Sequence, residues 1–218
     1  MPEPTALDLL DGQVERLRAA FKDVDPVILA SRTGSAYHSL GALAGELHLS
    51  LWERPIVVPF PELRAREAES GSDLITHLQA LLLYYFTTCD GSPESGQWIS
   101  FSELPDGRIY NQAFQGYTGR ALALAFQNDL DAFARAAESV GGKRVYLLGD
   151  LAFAYRVLPL VSILVVYWQG DEEMQPACQI LFDSAVSHHL PTDACAVIGS
   201  TLKGRLIKQK NVENLENY

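Results

Sequence analysis

The chain has 218 residues, 48% hydrophobic and 20% charged, with 17 Lys+Arg against 27 Asp+Glu for a formal charge of −10. This composition excludes general disorder and fibrous repeats. The acidic balance argues against nucleic acid, whose affinity rests on Lys and Arg neutralising phosphates, and more weakly against anionic membrane surfaces.

In chain order, the acidic start Met1-Pro2-Glu3-Pro4-Thr5 lacks a secretory signature. Thr5 and Asp8 read as a helix start, and Leu10, Val14, Leu17 and Phe21 then share a face up to Asp25-Pro26. Val27 to Ala30 is expected to begin a strand, with Ser31 to Ser35 as a turn. Leu47, Leu49 and Leu51 alternate with polar neighbours as a half-buried strand does, and Ile56 to Phe60 reads as its antiparallel partner. The charged stretch Glu62 to Ser72 reads as a solvated connection, after which Asp73 is expected to cap a helix carrying Leu74, Leu78, Leu81, Leu82 and Tyr85. Trp98 to Tyr110 reads as a loop with an ordinary turn at Pro105-Asp106-Gly107. Thr118 to Val140 follows as helix, broken at Asn128-Asp129.

The segments Arg144 to Leu148, Leu151 to Val157, Leu160 to Gln169 and Ala177 to Phe182 are rich in β-branched and aromatic residues. Their short connections favour antiparallel neighbours. A last helix sets Ala194, Ile198, Leu202 and Leu206 on one face, with Lys203, Arg205, Lys208 and Lys210 expected in its final turns against the negative end of the dipole. The expected fold is a single α+β domain over residues 1–210, a mainly antiparallel sheet with helices on one face, followed by a polar, frayed tail at 211–218. The longest apolar run, Leu158 to Trp168, is interrupted by Pro159 and Ser162, so no membrane span and a cytoplasmic location are expected.

Phosphate loops, the H-E-x-x-H helix and the G-x-S-x-G elbow are absent. The three cysteines, Cys89, Cys178 and Cys195, are scattered and include no C-x-x-C pair, so the chain has no cluster-binding cysteine motif. Four constellations remain. Asp171, Glu172 and Glu173 cluster at a hairpin tip, where they can bind a hard cation or simply keep a strand edge solvated. Asp183 precedes His188 and His189. One imidazole can ligate a metal or a tetrapyrrole with a carboxylate fixing its tautomer, or the three residues can form a plain polar loop. With Glu172 and its neighbours, His189 completes the metal-ligand candidates. Tyr155 and Arg156, beside Tyr167 and Trp168, put aromatic rings and a cation on a sheet, the lining of a pocket or ordinary core. Trp98 and Arg108 lie in the long loop, with Glu103 and Asp106.

A resemblance is carried by Leu82-Leu83-Tyr84-Tyr85, Trp98-Ile99-Ser100-Phe101, Leu104-Pro105-Asp106-Gly107, Gly149-Asp150 and the Arg156 to Pro159 segment. Trp168-Gln169-Gly170-Asp171-Glu172-Glu173, Ile180-Leu181-Phe182-Asp183 and Leu190-Pro191-Thr192-Asp193 continue it. Together these resemble an uncharacterised prokaryotic domain-of-unknown-function family, some members of which are fused to an iron–sulfur cluster domain. The resemblance implies a setting in redox or in one-carbon and corrinoid metabolism, and it transfers no catalytic residue.

The expectation that follows is an accessory or ligand-binding protein for a small molecule, with a tetrapyrrole or corrinoid as candidate cofactor. The alternatives are a metal-dependent enzyme using Asp171 to Glu173 and Asp183 to His189, and an interaction module whose acidic surface meets a protein partner.

Overall fold

The computed structural model describes residues 6–41 and 44–216. The fold is α+β with antiparallel sheets, the class expected from the alternation of apolar residues. Among the described residues there are two sheets rather than one, and the contacts divide the chain into two compact units: Met1–Pro93 with Leu158–Leu160 and His188–Pro191, and Glu94–Val157 with Val161–Ser187 and Thr192–Tyr218.

In the first unit, helices α1 (Ala6–Ala19), α2 (Pro26–Thr33) and α3 (Thr76–Thr88) accompany a four-stranded sheet of β1 (Ala36–Ser39), β2 (Gly45–Leu51), β3 (Arg54–Phe60) and β4 (Arg66–Glu67), in that order. The alternation in β2 is realised: Leu47, Leu49 and Leu51 are buried while the residues between them are partly exposed. The β2–β3 hairpin turns through Trp52 and Glu53, both at positive φ (54° and 61°), the handedness that matches the twist of the flanking strands.

Val27 to Ala30 is helix, not strand. The Asp25 carboxylate accepts from Val27 N and Ile28 N, Pro26 occupies the first helical position, and Gly34 closes the end at φ 62°. Capping chemistry outweighs the β preference of two branched side chains. The Glu62 to Ser72 connection is not wholly solvated either. Leu63 and Ala65 are buried, and the buried Gln79 amide bonds both the N–H and the carbonyl of Ala65, at 2.9 and 2.7 Å. Asp73 pairs with Arg64 at 2.8 Å, and the N-cap of α3 is Ile75. The expected cap at Thr5 lies outside the described residues.

In the second unit, the sheet runs β5 (Trp98–Ser100), β9 (Ala177–Asp183), β8 (Val161–Trp168), β7 (Leu151–Leu158), β6 (Lys143–Val145). Three of the apolar runs match β7, β8 and β9 closely, but Arg144 to Leu148 does not: the strand there is Lys143–Val145, and Tyr146, Leu147 and Leu148 lie beyond it, exposed. The helices are α4 (Gly107–Tyr117), α5 (Gly119–Phe126), α6 (Leu130–Ser139) and α7 (Thr192–Glu216). The core is aromatic: Phe101 stacks on Phe114 at 4.1 Å and Phe133 lies 4.6 Å from Tyr167, ring centre to ring centre.

Within the expected Trp98–Tyr110 loop, Ser100 and Glu103 form a capping box on a short 3-10 turn. Asp106, left-handed at φ 58°, then redirects the chain into α4. The break at Asn128-Asp129 falls between α5 and α6, where the Asp129 carboxylate caps Ala132 N. The expected frayed tail is helical to Glu216, since nothing after Gly204 breaks a helix. The cations of α7 therefore sit along its length, not in its last turn. Arg205 donates to Val140 O and Lys210 to Ala125 O, so they serve the carbonyl ends of α6 and α5 instead of their own helix.

Candidate functional site

The C-terminal end of α3 is tied into the first unit by backbone acceptors. Tyr85 donates its hydroxyl to Thr33 O at 2.8 Å, and Arg32 donates to Phe86 O at 2.6 Å. The two residues that follow, Cys89 and Asp90, meet His189 and His188 side by side. Asp90 N donates to His188 O at 3.2 Å, and the side chains pair off from that link.

His189 is fully buried with Nδ1 3.3 Å from Cys89 Sγ, and its ring lies against Tyr85. Cys89 Sγ is also 3.0 Å from Arg32 O, to which the thiol donates, and burial pushes that thiol up, so it stays protonated. His188 is different. Its side chain is half exposed, and Nδ1 lies 2.8 Å from Asp90 Oδ2. The Ser92 N–H at 2.8 Å, with the His188 contact, holds the Asp90 carboxyl well below the usual carboxylate range. The carboxylate is therefore charged at neutral pH, favours the Nδ1–H tautomer, and leaves Nε2 as the nitrogen that can accept or ligate. The two imidazole centroids are 6.5 Å apart, one inward and one outward.

Asp183, expected to orient a histidine, has other partners. Its Oδ1 accepts from Ser95 N, Ser95 Oγ and Ala185 N at 2.9–3.0 Å, and its Oδ2 from Gly96 N at 2.7 Å. It is an anchor for the segment entering β5. Asp171 accepts from Glu173 N and Met174 N, at 2.8 and 2.7 Å, and so closes its own turn, which holds its carboxyl below the ordinary value. Among the described residues, no group of three or more His, Cys, Asp and Glu is arranged to hold a metal ion.

The sheet candidates divide by face. Tyr155 points inward, its hydroxyl 3.3 Å from Ala137 O. Arg156 pairs with Glu94 at 2.7 Å. Trp98 and Trp168 are partly buried and both pack against the cluster of Ala152, Leu164, Val166 and Leu181. Arg108 is exposed on the first turn of α4.

One concavity has no counterpart among the sequence candidates. A cleft of about 560 Å³ in the second unit is lined by Arg120, Leu124, Gln127, Gln175 and Pro176, among others. The signal for it is faint: a Gln-Asn pair at a helix break, and a Gln-Pro before a strand.

Comparison with known proteins gives one match. The family described as Domain of unknown function (DUF3786) covers residues 25–205. No curated protein matches, and no solved structure does.

Proposed function

The chain belongs to the domain-of-unknown-function family DUF3786, and because that description assigns no chemistry, we propose a function from the side chains themselves: a ligand-binding accessory protein that presents His188 to the metal of a planar cofactor, a tetrapyrrole or corrinoid. The observation that carries this reading is the His188 Nδ1–Asp90 Oδ2 contact at 2.8 Å on a half-exposed imidazole. Metal-binding histidines are commonly oriented through their second nitrogen by a carboxylate, and an imidazole so held has its ligating lone pair already directed. Asp90 is itself fixed by Ser92 N, and the His188 carbonyl by Asp90 N, so both partners of the dyad are held by backbone.

The site would offer a metal one nitrogen, that of His188, and not a cage of ligands. One outward nitrogen completes a coordination sphere whose other positions a macrocycle supplies, whereas a bare cation needs several protein ligands. When bound, such a cofactor supplies the redox or group-carrying chemistry of its metal; the protein supplies the oriented nitrogen. His189 is excluded from that role by its burial against Cys89 and Tyr85.

Titration with hemin and with hydroxocobalamin, followed by visible absorption, tests this. A shifted band is expected for at least one of them. It is expected to disappear in His188→Ala, to require roughly 10–100-fold more cofactor in Asp90→Asn, and to persist when His77, an exposed histidine in the first turn of α3, is changed to Ala. No spectral change with either cofactor, or a band that survives His188→Ala, overturns the reading.

A further inference from the structure

We infer that the cleft on the outer side of α5 is a binding site for a small carboxylate with an apolar body. It lies wholly in the second unit and is independent of the His188 site.

Two pins build its walls. At one end Gly119 presses against β9 so closely that a Cβ there would lie 2.1 Å from Cys178 O. At the other, Asn128 takes Gly170 from both sides: Gly170 N donates to Asn128 Oδ1 at 2.8 Å and Asn128 Nδ2 donates to Gly170 O at 3.3 Å. The connection between β8 and β9 is therefore held over α5 at both ends. It is also folded on itself, with Gly170 against Pro176 and the Asp171 carboxylate closing the turn. Pro176 and Gln175 then face Arg120, Leu124 and Gln127 across a cleft of about 560 Å³, within the range of small-molecule sites.

The backbone at this spot is strained. Gln127 has φ 50° and ψ −127°, a conformation a side chain with a Cβ rarely adopts, and Tyr167 holds it by donating its hydroxyl to Gln127 O at 2.6 Å. The result is a glutamine aimed from a turn where glycine would cost less.

The lining chemistry selects the ligand. Arg120 is the ionisable residue of the lining. Of the carboxylates near the lining in sequence, Asp129 and Asp171 are engaged with the N–H groups of Ala132, and of Glu173 and Met174, while Glu172 and Glu173 are exposed on the same connection and do not line the cleft. Arg120 presents the planar fork that matches a carboxylate, with the amides of Gln127 and Gln175 to satisfy its remaining lone pairs. Leu124, 76% exposed, and Pro176 offer apolar surface for the rest of the molecule.

Calorimetric titration with hexanoate, hexanol and hexylamine distinguishes the contributions. Hexanoate is expected to bind in preference to both others, and Arg120→Gln to weaken it by about tenfold or more. Arg16→Gln, an exposed arginine in the other unit, is expected to leave it unchanged. Hexanoate failing to bind at millimolar concentration, binding no better than hexanol, or binding equally to Arg120→Gln overturns the inference.

Discussion

Asp183 is 3% exposed and charged, and every donor around it is accounted for: two backbone N–H groups and a hydroxyl from Ser95 and Gly96, and a third N–H from Ala185. Burial alone raises its pKa, but the hydrogen bonds together outweigh it and leave the carboxyl below the usual range. A group whose folded pKa is depressed contributes stability above its unfolded value, about 3.9, and that contribution is lost as pH falls toward the folded value. Asp183→Asn is expected to cost about 2–3 kcal/mol at neutral pH and to flatten the loss of stability below about pH 4. Urea unfolding of both proteins at neutral and acid pH checks this; equal stabilities at neutral pH would show that the four contacts are idle. In the sequence, Asp183 reads as the carboxylate that orients one of the two histidines. The residue on His188 is instead Asp90, 98 positions away. No short-range spacing encodes such a pairing, so the histidine is legible in the sequence and its orienting partner is not.

Among the elements, α5 depends on the small residue at its start. At Gly119 the helix backbone meets Cys178 O with no room for a methyl group, whereas Gly204, exposed within α7, has nothing within 4 Å of the place a methyl group would take. The same substitution therefore acts in opposite directions. Gly119→Ala is expected to destabilise by about 1–3 kcal/mol through overpacking, and Gly204→Ala to stabilise by up to about 1 kcal/mol through helix propensity. Denaturant midpoints of the two variants decide it, and a neutral Gly119→Ala would mean that α5 can lift from β9 without loss.

Elements with a strong period were legible, β2 by its strict alternation and β7, β8 and β9 by their branched and aromatic runs. The reading failed where local chemistry overrode pattern. Val27-Ile28 favours a strand until Asp25 and Pro26 start a helix beneath it, and Pro105-Asp106-Gly107 is a turn that also starts α4.

For the molecule as a whole, the alternation and turn signals gave the α+β class, but periodicity does not say which strands pair, and the chain forms two sheets where one was expected. Cysteine usage can be tested at this scale because it samples both units. Cys89, Cys178 and Cys195 are all buried and unbridged. Burial raises each thiol, that of Cys195 up to about 12, which lowers the thiolate fraction that reacts. A thiol reagent at mildly alkaline pH is expected to find no rapidly reacting group in the folded protein and three after denaturation. A fast equivalent in the native state would place one of these cysteines in contact with solvent.

The Asp90–His188 pair also has a consequence for the order of synthesis. The first unit takes its last segment, His188–Pro191, from far later in the sequence than Met1–Pro93, which makes up most of it. During translation, Asp90 and Ser92 leave the ribosome long before their partner does. A nascent or truncated product ending before residue 188 has the sheet of that unit in sequence but no imidazole at the dyad. On the proposed function the ligand would be acquired only by a chain extended past that residue, and loading would report that synthesis has already passed every described strand of both sheets.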